Sequence, residues 1–464
     1  MIEQIYKAYL ASRKVTTDSR AITPGCIFFA LKGEHFDGNT FAPQALEQGA
    51  ALAVVSREWK AGSGKHGDDD RIIGVADVLA TLQQLAALHR SRMTIPVIGI
   101  TGTNGKTTTK ELVHAVLGRR YRTSATAGNF NNHLGVPLTL LSIPASSEIA
   151  IVEMGANHPG EIEQLCGIAD PDFGLITNVG RAHLEGFGSF EGVVRTKTEL
   201  YRHLAAKHGT VFVNADNQIL MQQAERLATI PDTTSAIPVY APGTPILTAE
   251  AVSSTPLSVV TYGAGAEAEI RGTYVGSDPY MHFYFEQGDN VYNVKSHLLG
   301  AYNFDNAMAA VCVGLHFGVD PFDIKEAIEQ YTPSNNRSQF KQTDRNRLYL
   351  DCYNANPSSM AAAIGSFGQL KADHKVAIIG GMHELGADER KEHERLIEML
   401  SECRLEKCLL VGPEFEGLAL RPEMTLFKTT EAVKQYLEQH PVSGATVLVK
   451  GSNTNRLWTL EESL

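Results

Sequence analysis

The sequence predicts an α/β fold in three domains: a small α/β N-terminal domain, a central mainly parallel sheet around a phosphate-binding loop, and a Rossmann-like doubly wound C-terminal domain. Three observations lead there. Short apolar runs alternate with helical patterns along most of the chain, the order that builds parallel sheets with helices on both faces. A glycine-rich turn, Gly102-Thr103-Asn104-Gly105-Lys106-Thr107-Thr108, joins one such run to a helical pattern beginning near Lys110. At 464 residues, finally, the chain exceeds what one hydrophobic core serves, so several domains are required.

Residues 1–92 form the first unit. Short strands are expected at 26–31, 51–55 and 71–75, around a turn-rich segment at 32–41. The polar, glycine-rich piece 61–70 reads as an exposed loop, and 78–90 as a helix. Residues 93–332 form the central unit. Runs at 97–100, 149–152, 174–177 and 211–214 alternate with helices, whereas 239–298 shows strands alone, as at 257–262 and 282–286. That change of pattern predicts an antiparallel addition at one sheet edge. A helix at 303–317 and a turn-rich stretch at 332–337 close the unit. In residues 333–464 the alternation resumes, with strands at 348–352, 375–380, 408–411, 425–428 and 446–450. These make an open doubly wound sheet without a phosphate loop, suited to closing over a nucleotide held elsewhere.

Composition narrows the partners. Apolar residues make up 43% and charged residues 20%, as in an ordinary globular protein. The net charge of −11, with no long basic block, argues against nucleic acid or an anionic membrane. The first ten residues carry Glu3 and Lys7 within an apolar pattern and do not read as a signal peptide. No apolar run reaches the ~18 residues that span a bilayer, so a cytoplasmic protein is expected. Six dispersed cysteines without metal-ligand spacing read as reduced thiols.

The glycine turn has a specific physical meaning. Glycines let backbone N–H groups approach an anion, the following helix N-terminus adds positive potential, Lys106 supplies a point charge, and Thr107 offers a hydroxyl to Mg²⁺. A strict phosphate loop would have glycine where Ile100 stands, so the run is a compact variant. Two further strands end in Glu153 and, a few residues on, in Asn178 to His183. In an open parallel sheet those ends share one rim with the glycine turn. A carboxylate and an imidazole there form either a partial shell for Mg²⁺ or Mn²⁺, or a buried ion pair and a surface histidine. Asn129, Asn131 and Asn132 in one segment, and Asn354, Asn356 and Ser358 in another, suit a polar substrate or equally build turns and caps. Lys197, in the pattern Val193, Val194, Leu200, Tyr201 and Leu204, reads by itself as a solvated helix lysine.

Together these motifs resemble the Mur ligase family along the whole chain. The matching blocks are Thr16 to Arg20, Phe28 to Gly33, Gly102 to Thr108, Asn129 to Asn132, Glu153-Met-Gly, Thr177 to Leu184, Tyr353-Asn-Ala-Asn-Pro357, Gly380 to Gly386 and Lys450-Gly-Ser452. Tyr353 to Pro357 discriminates best among members. Departures are Tyr302, where the family usually has histidine, and a single Asp351 where it often has two aspartates.

The resemblance implies ATP-dependent ligation of D-alanyl-D-alanine to UDP-N-acetylmuramoyl-tripeptide in peptidoglycan precursor synthesis, with Mg²⁺, by a monomer. It assigns Gly102 to Thr108, Asn303, Asn306, Arg337 and Asp351 to the nucleotide. Ser19, Arg20, Lys32, Gly33, Asn129, Asn131, Asn354, Asn356 and Ser358 go to the other substrates. Thr107, Glu153, His183 and Lys197 go to metal, with Lys197 carbamylated by CO₂, and Lys106, His183 and Lys197 to catalysis. The alternatives are a Mur-type or folylpolyglutamate-like ligase for another amino acid, and a nucleotide-dependent binding protein without chemistry.

Overall fold

The structure, a computed structural model, describes residues 1–228, 257–333 and 337–464. The described residues build three sheets. In the first, strands Val15–Thr16, Ile27–Phe29, Leu52–Ser56 and Ile72–Val75 run parallel in chain order. Three are the expected ones. Val15–Thr16 was not expected, because two residues leave no periodicity to read. Segment 61–70 holds the end of helix Arg57–Gly62 and a 3-10 turn, Gly64–His66, rather than a featureless loop.

Helix Val78–Ser91 starts where Asp77 accepts a hydrogen bond from the Ala80 N–H at 2.9 Å. It buries Val78, Leu82, Leu85 and Ala86 in a core shared with both the first and the central sheet. Polar ties reinforce that sharing. Tyr9 Oη donates to Leu141 O at 2.9 Å, Gln83 Nε2 to His133 O at 2.9 Å, and Arg90 pairs with Asp172 at 2.8 Å.

The central sheet runs Asn290–Leu299, Tyr280–Gln287, Ile270–Ser277, Ser258–Gly263, Thr210–Asn214, Phe173–Ile176, Val97–Thr101, Ile149–Glu153, Thr123–Ala125. Every residue of Val97–Thr101 is buried. From this strand the chain first goes to one edge, at Thr123–Ala125, returns to Ile149–Glu153, and then crosses to the other side at Phe173–Ile176. The carboxyl ends around Thr101 thus form the switch point at which open α/β sheets bind ligands.

The antiparallel addition is smaller than the sequence suggests. Ser258–Gly263 lies parallel to Thr210–Asn214 and Ile270–Ser277 parallel to Ser258–Gly263, so among the described residues of this sheet the antiparallel pairings are those of Tyr280–Gln287 with Ile270–Ser277 and with Asn290–Leu299. The long stretch between Asn214 and Ser258 gives the chain length enough to return to the starting edge, as a parallel connection requires. Part of the strand-only segment, 239–256, lies outside the described residues.

The C-terminal sheet runs Gln339–Gln342, Arg347–Asp351, Thr446–Lys450, Lys375–Gly380, Lys407–Val411, Met424–Phe427. The five expected strands are parallel, with Gln339–Gln342 added as an antiparallel edge. Its Gln-Phe-Lys-Gln composition hid it. Each face of this sheet has its own core. Among the described residues no helix is long and apolar enough to cross a membrane, and all six cysteines are free and buried.

Candidate active site

Strand Val97–Thr101 ends in the glycine turn, and helix Lys106–Leu117 begins directly after it, earlier than the sequence pattern suggested. Gly105, at φ 78°, occupies the N-cap without a side chain. A Cβ at Gly102 (φ 144°) would overlap Thr177 Oγ1, and one at Gly105 would overlap Asn306 Oδ1. Glycine is therefore needed for the backbone to approach so closely. The first N–H groups of the helix are left facing the cleft. Lys106 folds back over the turn, its Nζ donating to Gly102 O at 2.8 Å and Thr103 O at 3.0 Å. Burial lowers its pKa below the usual lysine range; Glu153 opposes the shift and Arg337 adds to it.

The segment after Phe173–Ile176 braces the turn. Thr177 Oγ1 donates to Asn104 O at 2.6 Å, the Asn104 N–H donates to Asn178 Oδ1 at 3.0 Å, and the Gly180 N–H donates to Thr103 Oγ1 at 2.9 Å. Asn178 was not singled out from the sequence as a site residue. Its position just past a strand end, on the same rim as the glycine turn, is the signal that could have found it.

Glu153 closes strand Ile149–Glu153 and is 1% exposed. Its Oε1 accepts from Asn131 Nδ2 at 2.8 Å and from Thr107 Oγ1 at 3.2 Å. Its Oε2 is buried with no hydrogen-bond partner among the described residues. A buried carboxylate oxygen left unpaired is costly, and a cation beside Thr107 would satisfy it. Hard oxygen donors of this kind suit Mg²⁺ held jointly with phosphates.

On the other side of the turn, Thr109 Oγ1 donates to Asn306 Oδ1 at 3.0 Å, and Asn306 Nδ2 to Asn303 Oδ1 at 2.8 Å. Tyr302 Oη shares a hydrogen bond with Ser338 Oγ at 3.1 Å. Arg337 stacks on the Tyr353 ring at 3.5 Å from its centroid. Lys450, 1% exposed, pairs with Asp351 at 2.5 Å and donates to Asn354 O at 3.3 Å. Asn356 caps helix Pro357–Gln369, and Ser358 Oγ accepts the Arg181 N–H at 2.8 Å.

A cleft of about 860 Å³ joins these parts. Thr103 to Thr108, Asn129, Asn131, Glu153, His183, Asn303, Asn306, Arg337, Asp351, Asn354 and Ser358 all line it. Gly102 and Asn356 sit just behind the lining. The structure does not bring Ser19, Arg20, Lys32 and Gly33 to this cleft. They belong to the first sheet's loops, where Arg20 pairs with Asp18 at 2.8 Å and the backbones of Lys32 and Asp37 form an isolated antiparallel β-bridge.

Lys197 departs from the reading of a solvated lysine. It is 2% exposed, its Nζ donates to Ala156 O at 3.3 Å and lies 5.3 Å from the Phe187 ring centroid. Desolvation, reinforced by Lys106, holds its pKa well below the usual lysine range. His183 caps helix Leu184–Phe187 at φ 50° and contacts Glu384 through Nδ1. Burial pulls its pKa down while Glu384 opposes the shift.

Three family descriptions match in sequence order: Mur ligase family, catalytic domain, over residues 13–90; Mur ligase middle domain over 100–236; and Mur ligase, glutamate ligase domain, over 336–453. The chain is 34% identical to the UDP-N-acetylmuramoyl-tripeptide--D-alanyl-D-alanine ligase of Bacillus subtilis over 86% of its own length and 79% of that protein's. The chain belongs to the Mur ligase family.

Solved structures extend the likeness. This Mur ligase superposes on MurF from Acinetobacter baumannii with TM-score 0.81 and 30% identity, covering 97% of this chain and 93% of that one. MurF from Thermotoga maritima, solved in complex with ADP, gives TM-score 0.81 at 27% identity over 98% and 97% of the two chains. This Mur ligase is an ATP-dependent ligase with the three-domain α/β fold of its relatives. Arg181, Glu384 and Lys450 lie in the motifs that carry the resemblance, yet their contacts were not legible there, because each depends on a partner far away in sequence.

Proposed function

We propose that this Mur ligase joins D-alanyl-D-alanine to UDP-N-acetylmuramoyl-tripeptide in the cytoplasm, with ATP converted to ADP and phosphate. One observation supports this most directly: a single cleft sets the glycine turn and Glu153 of the central sheet against Asn354 and Ser358 of the C-terminal sheet. A phosphorylated carboxylate and an incoming amine would meet between them. Relatives bearing this ligase name align over most of both chains.

The chemistry follows from the weakness of a carboxylate as an electrophile. Transfer of the γ-phosphoryl group to the tripeptide's terminal carboxylate gives an acyl phosphate. The dipeptide amine attacks its carbonyl carbon, and phosphate leaves the tetrahedral intermediate as the amide forms. In this division of labour the N–H groups at the start of helix Lys106–Leu117 hold the phosphates. Lys106 exchanges the carbonyls of Gly102 and Thr103 for phosphoryl oxygens and stabilises charge there. Thr107 and the free Glu153 Oε2 would hold Mg²⁺, in the cleft that His183 also lines. When bound, that ion supplies positive charge to the phosphate oxygens.

Asn303 and Asn306 would meet the adenine, Arg337 the phosphates, and Asp351, held by Lys450, the ribose. Residues 1–92, with Ser19, Arg20, Lys32 and Gly33, would bind the uridine nucleotide. Residues 93–332 would hold ATP, with Asn129 and Asn131 beside the peptide, and 333–464 would bring the amine. One chain supplies every group named, so a monomer suffices.

The buried Lys197 amine, whose pKa desolvation holds well below the usual lysine range, gives up its proton more readily and would be nucleophilic toward CO₂. Its nitrogen would form a bond to carbon and release a proton, giving a carbamate whose negative charge offsets Lys106 and the metal. The test of the whole reading is ADP release with UDP-N-acetylmuramoyl-tripeptide, with and without D-alanyl-D-alanine. Release that depends on both substrates is expected; dipeptide-independent release, or none, would overturn it.

A further inference from the structure

Gly180 and Arg181 lie between the phosphate-binding turn and the C-terminal domain, touching both. On one side the Gly180 N–H donates to Thr103 Oγ1 at 2.9 Å. On the other, the next N–H, of Arg181, donates to Ser358 Oγ at 2.8 Å, in the first turn of helix Pro357–Gln369. A Cβ at residue 180 would stand 2.6 Å from Ser358 Oγ, so a larger residue there would have to displace that hydroxyl.

The Arg181 side chain then reaches further into the C-terminal domain. Its Nη2 lies 3.4 Å from Asp388 Oδ2 and 3.3 Å from Glu392 Oε1. Asp388 occupies the N-cap position of helix Glu389–Glu402 without a side-chain capping bond, and Glu392, 4% exposed, also holds Arg395 through Oε1 at 3.0 Å. The Arg181–Asp388 pair is half-exposed and contributes little by itself, but the buried Glu392 carboxylate makes its contact with Arg181 oriented and specific. Both acidic partners belong to the domain across the cleft, so the pair exists only while that domain sits against the loop. The neighbouring Glu185 N–H meets Glu384 O at 3.4 Å, which continues the same contact line.

We propose that Arg181 is a positioning residue for ligation: by gripping Asp388 and Glu392 it seats the C-terminal domain so that Ser358 and Asn354 face the phosphate-binding turn. This rests on the ligase reading above. Arg181 is not among the residues that line the cleft. Its loss should leave ATP binding intact and slow the step that needs both domains, since small misplacement of reacting groups costs large factors in rate.

The experiment compares the full-length protein with Arg181→Ala, Arg181→Lys and Asp388→Asn. The readouts are kcat, the KM for ATP, and the compaction seen by solution scattering when ATP and both substrates are added. Arg181→Ala is expected to lower kcat about tenfold or more while the KM for ATP stays within about twofold, with weaker compaction. Arg181→Lys should recover part of the loss, and Asp388→Asn should reproduce a smaller version of it. A kcat within about twofold of the unaltered protein, or a rise in KM alone, overturns the proposal. Failure of the ligase reading is distinct: the unaltered protein would then release no substrate-dependent ADP.

Discussion

Asn104 and Asn356 hold each other by both ends of their amides across the boundary between the central and C-terminal sheets. Asn356 Nδ2 donates to Asn104 Oδ1 at 2.8 Å, and Asn104 Nδ2 donates back to Asn356 Oδ1 at 3.3 Å. The same Asn356 Oδ1 accepts the Ser359 N–H at 2.9 Å, so one side chain both caps its helix and clasps the phosphate-binding turn. Asn356 is therefore committed to protein contacts on both ends of its amide.

That double duty can be separated. Asn356→Ser keeps a capping oxygen but is too short to reach Asn104, whereas Asn356→Ala loses both roles and about 1 kcal/mol of helix stability besides. Turnover with D-alanyl-D-alanine is expected to fall in both variants more than ATP affinity does. Only the alanine variant should also show a lowered Tm. Steady-state kinetics beside a thermal melt checks this, and damage to ATP affinity alone would refute it.

Lys106→Ala is expected to reduce ligation by about 10²–10³-fold, because it removes charge aimed at the transferring phosphoryl group. The fold should survive, since the lysine's hydrogen bonds are to its own turn. ADP release beside circular dichroism measures both. Near-normal turnover would remove the turn from the mechanism.

Glu153→Gln discriminates a metal ligand from a structural carboxylate. A glutamine oxygen can keep the bonds from Asn131 and Thr107, and the unpartnered Oε2 has no hydrogen bond to lose, so only the attraction to Lys106 is given up. The variant should melt at or above the temperature of the unaltered protein, yet need far more Mg²⁺ for half-maximal ADP release. A markedly lower Tm with an unchanged Mg²⁺ requirement would make Glu153 a structural residue.

Lys197→Ala is expected to lose activity and to regain part of it with a short-chain carboxylic acid, which can occupy the space and supply the anion. Full activity of the alanine variant in CO₂-depleted buffer would leave Lys197 without a chemical role.

A pH effect on stability is expected from His89, far from the cleft. Its Nδ1 lies 3.2 Å from Tyr6 Oη, and burial, with help from Arg13, lowers its pKa from 6.5 to about 4. Unfolded, the ring takes up a proton near pH 6.5; folded, it resists until about 4. Between those values the unfolded state binds more protons, so stability falls as pH falls, and the loss is complete below about 4. His89→Gln should flatten this part of a denaturation series run from pH 7 to pH 4.

Local signals carried much of this protein. The glycine turn, Glu153 at a strand end and the alternation of strands with helices are all short-range patterns, and each is found where the pattern put it. Properties set by distant chain were hidden. Strand Ser258–Gly263 is parallel because of where the chain returns, not because of its composition. Lys197 was read as part of one continuous helix face, but the helix divides at Thr198 and the lysine ends up inside. Asn178 looks like any turn asparagine until the glycine turn is laid against it.

The core shared by the first two sheets bears on how the molecule comes apart. Tyr9, Leu82, Leu85, Leu140 and Ile162 belong to one apolar cluster, whereas the C-terminal sheet keeps its two clusters to itself. Three sheets then amount to two cooperative bodies. Calorimetry should resolve two melting events rather than three, and a protease cutting near residue 337 should release a C-terminal piece that still folds. A fragment stopping near residue 92 would leave one face of helix Val78–Ser91 bare to water and should aggregate.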